Sequence, residues 1–270
     1  MAKPYAEVIG DPISHSKSPK IHGFWLNALG IEAAYRATHV TPDALPAYFA
    51  ERKDDPDWRG CNITVPHKIA ALDHVEDRED VRAAIGATNT AFRDADGALV
   101  GTNTDAAGFA APLKPYDLAG RPVTVIGAGG AARAVLFALA EIDAGPVTLF
   151  NRNVEKGASL LSSFGLEGRA LPIGEAVPPG FLVVNATSLG MTGQPPLDLD
   201  LSALPPEAVV YDIVYAPLET GLLAAARARG LATIDGLDML IGQAAVAFER
   251  FFGVAPPRDR DGELRKILLG

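Results

Sequence analysis

The sequence contains a single cysteine, Cys61. One thiol excludes an intrachain disulfide, and it excludes structural zinc held by several thiolates. Long apolar runs are also missing. No stretch reaches the about 18 apolar residues of a membrane span. The opening residues, Met1-Ala2-Lys3-Pro4-Tyr5-Ala6-Glu7, lack the apolar centre of a secretory signal, so a cytoplasmic location is expected. Positive charge is scarce: 24 Lys plus Arg against 33 Asp plus Glu give a formal net charge of −9. An acidic chain is a poor partner for a polyanion, which disfavours nucleic-acid binding but not a local basic site for one small phosphate. The five histidines (His15, His22, His39, His67 and His74) show no metal-ligand spacing, so no metal is expected. No internal repeat or low-complexity tract interrupts the chain.

What is present is apolar substance. Apolar residues make up 48% and charged residues 21%, which excludes a disordered chain and supplies a sizeable core. At about 100–200 residues per domain, the length suits one large domain or two modest ones. Tyr5 to Ile9 reads as a strand ended by the turn signal Gly10-Asp11-Pro12. Ser18 is placed to cap a helix, with Pro19 in its first turn and Gly30 closing it at positive φ. Thr41-Pro42 starts a second helix running to about Lys53. Cys61 to Val65 reads as a strand, with a helix start at Pro66. Thr88 to Phe92 and Ala98 to Thr102 flank a hairpin loop at Asp94-Ala95-Asp96-Gly97.

Beyond Pro112 the rhythm changes. Val123-Thr124-Val125-Ile126 is a continuous apolar run, as in a parallel strand covered on both faces. A glycine-rich turn, a helix from about Ala131 to Ile142 and a second strand, Pro146 to Phe150, follow. Further strands are expected at Phe181 to Asn185, Val209 to Asp212 and Ala232 to Ile234. This alternation argues for a doubly wound parallel sheet. An apolar helix from Leu237 to Phe252 and a short terminal helix end the chain.

Gly127-Ala128-Gly129-Gly130-Ala131-Ala132 fits G-x-G-x-x-G/A between a strand and a helix, the context that a dinucleotide site requires. Gly127 allows the tight turn, Gly129 admits a pyrophosphate, and the helix N-terminus supplies amide donors. At the end of the second strand an NAD site carries a carboxylate for the ribose hydroxyl. Here stand Asn151-Arg152-Asn153, then Lys156. A guanidinium pairs with a 2′-phosphate where a carboxylate would repel it, which favours NADP over NAD.

Three polar clusters lie elsewhere. In Gly10 to Pro19, the hydroxyls of Ser16 and Ser18 sit at a helix start, where they either cap the helix or hold a carboxylate. In Asn62-Ile63-Thr64-Val65-Pro66-His67-Lys68, the lysine is either surface charge or an acid–base group. Gly86-Ala87-Thr88-Asn89-Thr90 and Gly101-Thr102-Asn103-Thr104-Asp105 read as turn chemistry or as ligand contacts. Gln243, on an apolar helix, needs a partner for its amide, either backbone or substrate hydroxyls.

Taken in order, nine motifs resemble the shikimate dehydrogenase family along essentially the whole chain. They are G-D-P-I-S-H-S-K-S-P from Gly10, N-I-T-V-P-H-K from Asn62, G-A-T-N-T from Gly86, N-T-D from Asn103, G-A-G-G-A-A from Gly127, N-R from Asn151, N-A-T-S-L-G from Asn185, D-I-V-Y-A-P-L-E-T from Asp212 and G-L-D-M-L-I-G-Q-A from Gly236. The resemblance implies reversible NADPH-dependent reduction of 3-dehydroshikimate to shikimate. It implies a Rossmann-type cofactor domain, 106–236, and a discontinuous α/β substrate domain, 1–105 completed by 237–270, with the substrate in the cleft between them. It implies Lys68 and Asp105 as the catalytic pair. Ser16 and Ser18 would hold the substrate carboxylate, with Thr64, Asn89, Tyr215 and Gln243 as further substrate contacts. Gly127, Ala128, Gly129, Gly130, Ala131, Asn151, Arg152, Asn153 and Lys156 would line the cofactor, with Asp80, Ile213 and Gly236 as looser matches.

The chain departs from the family at three points. Gly23 follows His22 where Asn is frequent, and Asn153 and Lys156 stand where Thr and a second Arg are frequent. Lysine lacks the guanidinium fork, which leaves NAD tolerance open. Serine at both 16 and 18 favours shikimate over quinate. The rival readings are an NAD-dependent quinate/shikimate dehydrogenase and a non-catalytic NADPH-binding sensor of the same fold. Monomer and homodimer are both compatible with the sequence.

Overall fold

The computed structural model describes residues 3–269. The chain divides into two compact units, Met1–Thr104 with Ile241–Gly270, and Asp105–Leu240. The division falls at 104/105 and 240/241, against the 105/106 and 236/237 expected. Asp105 belongs to the second unit because it is the first residue of a helix. At the other crossing one continuous helix carries the chain over the boundary, so composition could not mark it.

The first unit runs β1 (Tyr5–Gly10), α1 (Ser18–Leu29), β2 (Ala34–His39), α2 (Leu45–Lys53), β3 (Trp58–Ile63), α3 (Val81–Ala84), β4 (Thr90–Arg93) and β5 (Leu99–Thr102). Its five strands lie in the order β2-β1-β3-β4-β5. The first three are parallel, joined by helical crossovers, and β4 and β5 close an antiparallel hairpin. β1 lies inside the sheet between β2 and β3, and every residue of it is buried. Tyr5 and Ile9 face one core with Leu45, Phe49 and Trp58, while Ala6, on the alternate face, packs with Phe92, Val100 and Phe251. The hairpin loop is built as its sequence predicts. Asp94 Oδ1 accepts from the amides of Asp96 and Ala98, and Gly97 takes a φ of 81°.

The second unit runs α4 (Asp105–Ala110), β6 (Val123–Ile126), α5 (Gly130–Glu141), β7 (Val147–Phe150), α6 (Val154–Ser163), β8 (Gly168–Leu171), β9 (Leu182–Asn185), β10 (Val209–Asp212), α7 (Gly221–Ala228) and β11 (Ala232–Ile234). All six strands are parallel, in the order β11-β10-β9-β6-β7-β8. Counted from the unit's own first strand this is 3-2-1-4-5-6 read from the β8 edge inward and out again, the doubly wound dinucleotide-binding order. β6, β9 and β10 are buried along their whole length, as strands covered by helices on both faces must be. α8 (Gly236–Phe252) then leads back into the first unit, and α9 (Asp261–Leu269) follows.

Several local expectations are corrected. No α-helix begins at Pro66. The chain instead turns, with the His67 amide on the Thr64 carbonyl at 2.9 Å, and a short 3-10 helix follows over Ala70–His74. The strand expected at Cys61 to Val65 is Trp58–Ile63, so Thr64 and Val65 lie beyond its end. Lys17, not Ser18, occupies the cap position of α1, and no side chain caps that helix. β2 and β8 escape a search for apolar runs because both are sheet edges with exposed residues. Among the described residues no helix is long and apolar enough to cross a membrane.

Candidate active site

In the first unit the polar motifs gather where β1 and β3 end. A β-carbon on Gly10 would stand 2.6 Å from Thr64 Cγ2, so only glycine lets the loop after β1 pass the loop after β3. The Asp11 amide then donates to the Val65 carbonyl at 3.1 Å, tying the two loops together. Ser16 is half-buried and Ser18 buried, at the start of α1, and Ser16 Oγ accepts from the Ser18 amide at 3.3 Å. The neighbouring Lys17 turns away and donates to the Leu268 carbonyl at 2.5 Å, anchoring this loop to α9. Thr64 and Lys68 are half-buried on the loop after β3. The Lys68 carbonyl accepts from the Thr88 amide at 2.8 Å, and buried His67 is fixed by the Val40 carbonyl at 2.7 Å.

Behind these loops lies a buried hydrogen-bond network. Asn62 Nδ2 donates to Thr90 Oγ1 at 3.0 Å, and Thr90 Oγ1 donates to Asn89 Oδ1 at 3.1 Å. Asn89 Oδ1 also accepts from the Thr104 amide at 2.7 Å, and its Nδ2 donates to Thr104 Oγ1 at 3.0 Å. Gln243 Oε1 completes the set, 3.4 Å from both Asn89 Nδ2 and Thr104 Oγ1. Partners of Gln243 Oε1 therefore include side chains of two of the polar motifs, Asn89 and Thr104. Asp105, the next residue after Thr104, is buried as the first residue of α4 in the second unit. Asp80 lies in the first unit, exposed and at a φ of 53° before α3. Asp77, not Asp80, caps that helix, accepting from the Val81 and Arg82 amides at 2.7 and 2.9 Å.

In the second unit the glycine turn has the geometry a phosphate needs. Gly127 takes a φ of 108°, and a β-carbon there would meet Thr187 Cγ2 at 2.7 Å. Gly129 opens α5 with no heavy atom within 4 Å of where its β-carbon would be, and no side chain caps that helix. By contrast, Asn153 caps α6 and Thr220 caps α7. The first-turn amides of α5 are thus left for an anion beside open space, while Ala128, Gly130 and Ala131 continue the turn. Asn153 uses its side chain on the Lys156 amide at 2.8 Å, so its local role is to shape the loop. Asn151 Nδ2 holds the Asn153 carbonyl at 2.8 Å. Arg152 and Lys156 are exposed, and neither side chain makes an ion pair among the described residues. These residues fit a phosphorylated dinucleotide.

Sequence reasoning assigned no role to a second network under β9 and β10. Asp212 is fully buried, and burial pushes its carboxyl pKa up against hydrogen bonds from Thr220, the Val214 amide and Asn185. Thr220 Oγ1 donates at 2.6 Å and Asn185 Nδ2 at 2.9 Å. Asn185 Oδ1 also accepts from Thr187 Oγ1 at 2.7 Å, and so fixes the side chain that packs on Gly127. Further along, a β-carbon on Gly236 would stand 2.2 Å from the Ile213 carbonyl oxygen, so two of the three looser matches are neighbours. Tyr215 follows on the same loop, its phenol pKa raised by burial. The signal available in the sequence was the lone carboxylate ending an apolar strand, Asp212.

Comparison with known proteins places this geometry. Residues 8–91 match the family model described as shikimate dehydrogenase substrate binding domain, and residues 236–260 match shikimate 5′-dehydrogenase C-terminal domain. A relative from Sphingopyxis alaskensis, shikimate dehydrogenase (NADP(+)), is 63% identical, covering 99% of this chain and 98% of that one. Among solved structures, shikimate 5-dehydrogenase from Thermus thermophilus, in complex with NADP(H) and shikimate, superposes with a TM-score of 0.86 at 38% identity, covering 98% of this chain and 99% of that one. The ligand-free 5-ketofructose reductase of a Gluconobacter strain gives 0.88 at 30% identity, covering 99% of each chain.

Proposed function

Because this chain belongs to the shikimate dehydrogenase family, we propose that it catalyses the reversible NADPH-dependent reduction of 3-dehydroshikimate to shikimate, in the pathway to aromatic amino acids. Support within the molecule comes from the first unit. There Asn89, Thr104 and Gln243, drawn from separate motifs, converge on one buried polar network.

NADPH, when bound, supplies the hydride that adds to the C3 carbonyl carbon. The Lys68 ammonium gives its proton to the carbonyl oxygen as negative charge grows there, and the amine takes that proton back in the reverse direction. Asp105 is its catalytic partner and accepts a substrate hydroxyl. Ser16 and Ser18 hold the substrate carboxylate with their hydroxyls at the start of α1. Thr64, Asn89, Tyr215 and Gln243 orient the ring hydroxyls, and fixed orientation is itself a large part of the rate. The amides of Gly127 to Ala131 would receive the pyrophosphate. Arg152 and Lys156 would receive the 2′-phosphate on a loop shaped by Asn151 and Asn153, and Ile213 and Gly236 would border the cofactor. The protein needs no nucleic acid or membrane, and works in the cytoplasm as a monomer or homodimer.

One assay tests the reading. Oxidation of shikimate and of quinate is followed by reduced-nicotinamide absorbance, each with NADP+ and with NAD+. Shikimate with NADP+ is expected to give the highest kcat/KM. A preference for quinate or for NAD+ would move the chain to the quinate branch, and no turnover of either would leave a binding protein.

A further inference from the structure

Tyr35 stands on β2, an edge strand that carries none of the motifs. Its hydroxyl donates to Asn62 Oδ1 at 2.6 Å. One phenol oxygen therefore ties the edge strand to the end of β3. The ring is held from one side by His22, which lies flat against it with centroids 3.9 Å apart and planes within 4°. His22 is fully buried, and neither of its ring nitrogens has a hydrogen-bond partner among the described residues. Burial pulls its pKa down to about 3, so the ring is neutral and serves as a packing wall. That wall fixes the plane of Tyr35 and hence where its hydroxyl stands.

The hydrogen bonds then run in one direction. The phenol gives its proton to Asn62, and only the carbonyl end of that amide can take it. The Asn62 NH2 end is thereby turned toward Thr90 Oγ1, where one of its two protons is used. Thr90 passes its proton to Asn89 Oδ1, and Asn89 donates onward to Thr104 and Gln243. Each link needs the polarity of the one before it, and such chains strengthen their members.

We infer that Tyr35 is a positioning residue for the reaction: through Asn62 and Thr90 it sets the orientation of Asn89, and with it the hydroxyl-holding side of the substrate site. This rests on the proposed roles of Asn89 and Gln243. Tyr35 touches no reacting atom, and its effect falls on substrate affinity. Removing its oxygen leaves Asn62 Oδ1 buried without that donor.

The test is Tyr35→Phe, which keeps the ring against His22. The expected result is a rise in KM for shikimate of about tenfold, the scale of one buried hydrogen bond. KM for NADP+ and kcat should stay close to wild type. A packing role alone would lower the melting temperature and leave that split absent. The double variant with Asn62→Ala provides a second reading. Because both act through one contact, the double variant should have the KM of Asn62→Ala alone. A wild type that turns over shikimate with a Tyr35→Phe KM within about twofold of it, or strictly additive effects in the cycle, overturns this inference and leaves the functional reading intact. A wild type that ignores shikimate overturns both.

Discussion

Asn89 and Gln243, 154 positions apart, meet with Nδ2 of one 3.4 Å from Oε1 of the other. The contact joins a motif of the first hundred residues to the helix that follows the dinucleotide unit. It is long for a hydrogen bond, and Thr104 Oγ1 shares the same acceptor at 3.4 Å, so neither bond is strong. A bound hydroxyl can compete for that oxygen. Gln243→Ala is expected to raise KM for shikimate about tenfold while the fold and NADPH binding persist. The check is steady-state kinetics beside a calorimetric NADPH titration. An unchanged KM would make Gln243 a structural amide.

Lys68 and Asp105 are proposed to carry the proton chemistry. Lys68→Ala should lower kcat by about 10²- to 10⁴-fold, the usual worth of a positioned acid–base group, with NADPH binding retained. Asp105→Asn should impair turnover severely as well. Near-normal turnover in either variant removes that residue from the catalytic pair.

Arg152 bears on cofactor choice. Its guanidinium is exposed and carries no ion pair among the described residues, so it is available to a phosphate. Arg152→Ala should raise KM for NADP+ by about ten- to a hundredfold, the loss of a charge-assisted contact, and leave KM for NAD+ unaltered. Equal effects on both cofactors would show that Arg152 does not read the 2′-phosphate.

Glu7 concerns stability. This carboxylate is fully buried in β1, with Arg52 Nε at 2.7 Å, Tyr48 Oη at 2.8 Å and Arg36 Nε at 3.3 Å, and Thr38 also donates to it. Burial alone would raise its pKa, but the hydrogen bonds from Arg52, Thr38 and Tyr48 outweigh it and hold the value below that of a free carboxyl. The stabilisation is therefore complete above the unfolded value of about 4.3 and is lost as pH falls through the lower folded value. Glu7→Gln leaves Arg52 only the exposed Glu51 as counter-charge and should cost about 3 kcal/mol in urea unfolding near neutrality. The gap between the two proteins should narrow on acidification. A gap that stays constant down to about pH 3 would show that Glu7 is not ionised in the fold.

Much of this architecture is legible from local chemistry. Val123 to Ile126 and Val209 to Asp212 are read correctly because a strand covered on both faces must be apolar throughout. Gly30 ends α1 at a φ of 65°, as a residue without a β-carbon can. The glycine turn is legible because phosphate approach and tight turning demand the same small residues. Less local features are not. Tyr35 sits on an exposed edge strand with no apolar alternation to reveal it. Asn153 presents the pattern of a cofactor contact, yet its side chain caps a helix, because one amide serves either purpose.

The sequence by itself determined the two-unit α/β plan, the dinucleotide turn and the residue types available for proton transfer, since hydrophobic period and turn chemistry act over a few residues. Only the tertiary structure decided that Gln243 would reach Asn89, that a β-carbon could not fit at Gly10 or Gly236, and that the Tyr35 hydroxyl would reach Asn62. Those outcomes depend on packing between distant segments, where an oxygen's partner is whichever group the folded chain brings within about 3 Å.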